Sequence, residues 1–409
     1  MKMVLSSRAF IPLSCHVPRN DIFKTKASFS MKKLFYLGIL GFILFEIANV
    51  YFIMPMPGSQ DMDSIDVAYF LYSWRWVFRI LLGLMVILGL KSAFSSSKWL
   101  SIIPILALFG IVYETNFVMA ADNMFYQPKV LAIKNIGENK VENDRLVVGV
   151  AHEGEAKAYP IQYLGYHHQV RDTLGNKPIM VTYCTVCRTG RVYEPIVNGK
   201  SEDFRLVGMD HFNAMFEDKT TKSWWQQATG EAVAGTLKGY QLPEFPSMQT
   251  TLSKWIELYP NTLVMQPDKN FQVQYDSMRT YEKGKLTGKL TRRDTASWQN
   301  KSWVVGVEIG KVSKAYDWNR LQKERIIYDE LDNQPIAIIL SKDSLSFVVL
   351  QRLNKEQVFT LVNDTLKSKE NSYNFMGTSS NPSNPHLKTI NGYQEYWHSW
   401  QTFHPFTKK

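Results

Sequence analysis

Thirteen residues of this chain recur 157 positions later, and that spacing constrains the fold more than any other feature. Val147, Val148, Gly149, Val150, Lys157, Ala158, Tyr159, Leu164, Asp172, Leu174, Asn176, Pro178 and Ile179 meet identical residues between Val304 and Ile336. Identities held over one register mark a structural unit used twice. The ends of the units echo too, because Trp255, Pro260 and Thr262 share their spacing with Trp400, Pro405 and Thr407. We read two sequence-related halves, residues 122–268 and 269–409.

Within each half the apolar residues come in short β-branched runs such as LVVGV, PIMVTY, VVGVEI and PIAIIL, separated by Gly, Asn and Asp. That pattern predicts strands and tight turns. Short helices are expected at PIQYLGYH, TLSKWIEL and EYWHSWQTF. The expected class is α+β, with a β-rich soluble domain.

Three apolar runs precede it, at residues 33–54, 76–94 and 99–121. Each has about the 20 residues needed to cross a bilayer, so residues 33–121 read as three transmembrane helices in contact with membrane lipid. The first run is longer than a signal-peptide core and two more follow it, which favours a retained anchor. Residues 1–32 read as a basic cytoplasmic tail or a mispredicted extension, since MKKLFYLGIL from Met31 looks like a fresh start. Cys15, in that segment, is given no role.

Lys and Arg crowd the segment before the first run, whereas Asp61, Asp63 and Asp66 lie between the first and second. The bias places the N-terminus in the cytoplasm and the C-terminal domain outside it, in a plasma or inner membrane. Residues 1–30 hold five Lys or Arg and one Asp, a net +4, so the other residues carry +6 of the total +10. With no basic stripe or stacking motif in the soluble part, nucleic acid is not an expected partner. Of the ionisable residues in the spans, Arg79 reads as snorkelling from a helix end and Glu114 as close to the exit. Glu46 reads as the one near mid-membrane, where such a residue is a functional candidate against the simpler role of a bond between helices.

The two halves differ where chemistry is expected. Cys184, Cys187, His167, His168 and His152 meet Ser341, Ser344, Glu324, Arg325 and Ile309 in the second copy. A redox Cys-x-x-Cys pair opens a helix whose N-terminal field lowers a thiol pKa. Here RTGRVYEPIV follows, so the pair is expected on a strand-to-strand turn, as in metal knuckles. Two thiolates supply half of a tetrahedral Zn site, or most of a Cu(I) site. His167 is the first candidate for a third ligand and His211 the second, with Met209 and Met215 as soft donors were the ion copper.

The run from VVGVAHEGEAKAYPIQYLGYHHQVRD to VTYCTVCRTG, then DKTTKSWWQQATG and WIELYP, resembles the domain-of-unknown-function family numbered 3179. The family pattern falls on Lys157–Pro160, His167, Thr182–Cys187, Asp218–Gly230 and Trp255–Pro260. His168 stands where the family commonly has Glu, and Thr185 and Val186 replace Pro-Leu between the cysteines. The resemblance outlines a site and implies no activity.

A second cluster, Asp218, Thr221, Ser223, Trp225 and Gln227, offers an aromatic and polar face to a ligand, or else a capped turn over a packed core. Three classes stand at this point: a metal-binding extracytoplasmic domain using Cys184, Cys187 and His167, a thiol-disulfide oxidoreductase using the same cysteines, and a ligand-binding or assembly module whose partner is a small molecule or a protein. Nucleotide-binding glycine loops and a Gly-x-Ser-x-Gly elbow are absent from the sequence. Arg188 after Cys187 departs from the Cys-x-x-Cys-His pattern of covalent haem attachment.

Overall fold

The computed structural model describes residues 30–369 and 371–409. The basic segment and Cys15 therefore lie outside the described residues, apart from Ser30 and its neighbours in the first helix. Among the described residues three helices are long and apolar enough to cross a membrane: Met31–Tyr51, Arg75–Ser96 and Lys98–Val118. A short helix, Ile65–Ser73, leads into the second of them. The first and second pack closely because Gly38, Gly41 and Gly89 face the partner helix, where any Cβ would clash and where small residues let backbones approach.

Glu46 lies five residues from the end of its helix, on the side that faces the soluble domain, and is not isolated. It accepts from Arg79 Nε at 2.7 Å and Nη2 at 2.9 Å, and Asn116 Nδ2 donates to it at 2.9 Å. Arg79 is thus one arm of a clamp joining all three long helices. The helix stops at Tyr51, and Phe52, Ile53, Met54 and Met56 beyond it pack against the domain.

The β-rich domain carries one plan in each half. Leu146–His152 and Glu155–Pro160 form a hairpin that leads through helix Ile161–His167 into the antiparallel strands Gln169–Leu174 and Lys177–Cys184. Trp303–Ile309, Val312–Asp317, helix Trp318–Glu324, Ile326–Leu331 and Gln334–Leu340 repeat the order. Each half closes with a strand laid against its first one, Met248–Thr251 on Leu146–His152 and Gly392–Tyr396 on Trp303–Ile309. The two helices that follow are Leu252–Leu258 and Trp397–Phe403.

Matching residues do matching work. Tyr159 and Lys157 bond Asp172, at 2.7 and 3.0 Å, and Tyr316 and Lys314 bond Asp329, at 2.9 and 2.8 Å. Trp255 packs on Gly149 and Trp400 on Gly306, and each indole N–H donates to the threonine seven residues on, at 2.8 Å. A Cβ on either glycine would run into the ring. Gly149→Ala and Gly306→Ala are each expected to cost about 1–3 kcal/mol through overpacking, read as a lowered thermal midpoint; a change near zero would contradict this packing. Packing crosses residue 268, since Phe271, Tyr275 and Tyr281 complete the core of the first half.

A buried thiol site between the halves

Strand Lys177–Cys184 runs antiparallel to Thr189–Tyr193, with Cys184 opposite Thr189. The turn between them closes through Arg188, whose φ of 58° lies in the left-handed region. Both cysteines are free and buried, Cys184 at 1% exposure and Cys187 at 0%. A strand, Thr189–Tyr193, and not a helix follows them in the chain.

A second turn sits over the pair. Strands Phe204–Asp210 and Asn213–Asp218 pair across His211 and Phe212, whose φ values are 48° and 65°. Two-residue hairpins of this hand normally use Gly or Asn, and left-handed backbone at a side chain such as phenylalanine costs about 1–2 kcal/mol. That strain sits where the Phe212 carbonyl accepts from Cys187 Sγ at 3.3 Å and Cys184 Sγ at 3.6 Å. Gln227 braces the assembly, donating to Thr182 Oγ1 at 2.9 Å and accepting from Asn213 at 3.0 Å.

The remaining walls come from the second half. Tyr396 N–H donates to the Cys187 carbonyl at 2.9 Å. Lys301 is buried, donates to the Val186 carbonyl at 2.7 Å and lies over the Tyr396 ring. His398 Nδ1 donates to the Asn300 carbonyl at 2.9 Å, which leaves Nε2 as the bare nitrogen; it is buried without a hydrogen bond and faces Cys187.

Burial opposes ionisation of both thiols. At Cys184 it is outweighed by the Cys187 thiol and by the backbone N–H groups of Ala214, Cys187 and Val186, and the net direction is down. Burial, then the hydrogen bond to Cys184 and its charge, push Cys187 well up. The surroundings therefore favour the thiolate at Cys184 over Cys187. Burial drives Lys301 down to about 8, with Cys187 and Cys184 pulling it back.

The same position in the second half explains that charge pattern. Asn363 and Asp364, with φ of 48° and 62°, form a turn over Ser341. Asp364 accepts from Ser341 Oγ at 2.7 Å and Lys342 N–H at 2.8 Å, and pairs with Lys254 at 2.6 Å. Lys254 belongs to the first half, as Lys301 belongs to the second. Each turn thus receives a buried lysine from the opposite half, neutralised by a carboxylate in one case and facing two thiols in the other.

His167 is elsewhere engaged. Its Nδ1 donates to the Tyr126 carbonyl at 2.5 Å and its Nε2 accepts from Tyr275 Oη at 2.6 Å, so both ring nitrogens are taken. His168 is buried neutral, its pKa pushed down to about 4 by burial. His211 contributes its backbone to the covering turn while its ring pairs with Asp210 at 2.8 Å and Asp63 at 3.3 Å. Met209 packs against the cysteine cluster, whereas Met215 points into the core around Trp224. Among the described residues no group of three His, Cys, Asp or Glu is placed to hold a metal ion.

The Asp218 cluster is a capped turn. Asp218 accepts from Thr221 Oγ1 at 2.6 Å, Ser223 N–H at 3.1 Å and Trp225 Nε1 at 3.0 Å, and Asp218, Ser223, Trp225 and Gln227 are buried. Their hydrogen bonds are spent inside the protein. Sequence reasoning missed Lys301, His398 and the Phe212 carbonyl. The one available signal was that EYWHSW carries a histidine beside the strand that closes the second half.

Among the described residues, three helices long and apolar enough to cross a membrane thus precede a two-part β-rich domain that holds a buried pair of free cysteines. By its match over residues 126–407, the chain belongs to the family described as a protein of unknown function, DUF3179. No curated protein and no solved structure matches it.

Proposed function

We propose that the domain faces the outside of the cytoplasm and exchanges its Cys184–Cys187 dithiol with the disulfide of a substrate. The observation that carries this reading is Lys301, a buried cation that forms no ion pair with a carboxylate among the described residues and lies beside the two thiols. A cation there favours a thiolate and opposes a metal ion.

In the exchange, the Cys184 thiolate attacks one substrate sulfur, forming a mixed disulfide and expelling the other sulfur as a thiolate, which takes a proton from the Lys301 ammonium. Cys187 then passes its proton to His398 Nε2 and attacks the Cys184 sulfur. That attack expels the second substrate sulfur as a thiolate, which takes the proton from His398, so the substrate leaves as two thiols and the Cys184–Cys187 disulfide remains. The arrangement has the logic of a nucleophile, a base and a group that orients the base, here the Asn300 carbonyl.

The purified full chain, equilibrated in thiol-disulfide buffers, is expected to interconvert between dithiol and Cys184–Cys187 disulfide. Cys187→Ser is expected to accumulate a mixed disulfide at Cys184. A near-stoichiometric ion in protein prepared without chelator, with thiols that never oxidise, would replace this reading with the metal one, in which the two cysteines ligate Zn or Cu.

A further inference from the structure

We infer that Gln60, in the loop joining the first two long helices, is a positioning residue that holds the Phe212 carbonyl against the thiols. Gln60 is 3% exposed. Its Nε2 donates to the carbonyls of Phe52 at 3.0 Å and Met54 at 3.2 Å, and its Oε1 accepts from Phe212 N–H at 3.0 Å. The carbonyls at a helix end and the N–H of a hairpin turn are both groups left without regular partners. A side-chain amide satisfies both at once, and neither a carboxylate nor an ammonium does.

The loop follows the hairpin on either side of this bridge. Met209 N–H donates to the Ile53 carbonyl at 2.8 Å, and Gly208 lets Ile53 approach so closely that a Cβ there would clash. Asp63 reaches the His211 ring at 3.3 Å. A continuous chain of contacts therefore runs from the end of the first membrane-length helix through Gln60 to Phe212 and on to both sulfurs. Displacing that helix end moves the carbonyl that covers the thiols.

The inference rests on reading Cys184 and Cys187 as reactive thiols. The charged and titratable groups around the sulfurs are Cys187 on the same turn, Lys301 and His398 from the second half, His211 with Asp210 at the covering turn, and Asp63 from the loop that reaches His211. Gln60→Met keeps the volume, removes both hydrogen-bonding ends and leaves every one of those groups in place.

In the full chain in detergent, iodoacetamide labelling of Cys184 is followed peptide by peptide across pH. Gln60→Met is expected to speed labelling about tenfold at neutral pH, because the cover is released. It is also expected to move the profile to lower pH, because a carbonyl oxygen favours S–H over thiolate. Asp61→Asn, on the exposed side of the loop, is expected to match the wild type. If Gln60→Met fails to accumulate, Asp63→Asn loosens the same turn from its solvent side and is expected to act in the same direction.

A Gln60→Met profile equal to wild type, or one matched by Asp61→Asn, overturns the assignment. Cys184 inert in the folded wild type and variants, yet labelled after denaturation, overturns the thiol reading itself.

Discussion

Asp364→Ala is expected to destabilise the domain by about 3 kcal/mol, because it leaves the buried Lys254 with only the surface carboxylate of Glu257 as a counter-charge. Lys254 is 3% exposed and lies 2.6 Å from Asp364; its other carboxylate, Glu257, is at the surface. The pair joins the halves, since Lys254 rides on helix Leu252–Leu258 and Asp364 on a turn of the second half. Thermal or denaturant unfolding of the full chain measures the loss.

Lys254→Met with Asp364→Leu removes both charges together and is expected to recover most of the loss, since an apolar pair avoids the desolvation of two ions. The pH dependence has a definite sign. Burial opposes the Asp364 charge, but Lys254, Ser341 and the Lys342 N–H together hold its pKa below the ordinary value. Its contribution is thus complete above the unfolded value of about 4 and fades as pH falls through the lower folded value. A single-variant loss below about 1 kcal/mol would show that the pair is solvated and the interface open.

The parts of the fold that could be read from sequence are those written locally. Tight turns and β-branched runs place the strands, and the short helices at Ile161–His167, Leu252–Leu258 and Trp397–Phe403 fall where the pattern puts them. The glycine in RTGRVYEPIV correctly excludes a helix after Cys187. What surrounds the cysteines was not legible, because Lys301 meets Val186 across 115 positions and nothing near QNKSWVV marks that lysine. His167 misled because a histidine in a motif reads as a ligand, whereas Tyr126 and Tyr275 take both of its nitrogens. The end of the first helix was not legible either, because hydropathy runs past Tyr51 into a turn that is apolar for another reason: Ile53 and Met54 pack against the domain.

Lys301→Met is expected to slow alkylation of Cys184 at neutral pH by roughly tenfold, and to move its pH profile to higher values, because a nearby cation favours the thiolate. Lys301→Arg keeps the charge and is expected to stay close to wild type. The fold is expected to tolerate the methionine. Burial pushes Lys301 down to about 8, below an unfolded lysine at about 10.4. At neutral pH the ammonium is bound in both states, and its burial weighs against folding. As pH rises from about 8 toward 10.4 the unfolded chain holds more protons than the folded one, so wild-type stability gains with pH across that window and the methionine variant lacks the gain. The two readouts separate the roles, since a structural lysine would lose stability on substitution and leave the thiol profile unmoved. A lysine held in place to stabilise the Cys184 thiolate does the reverse, and a variant with unchanged labelling would remove the principal support for thiol exchange at this site.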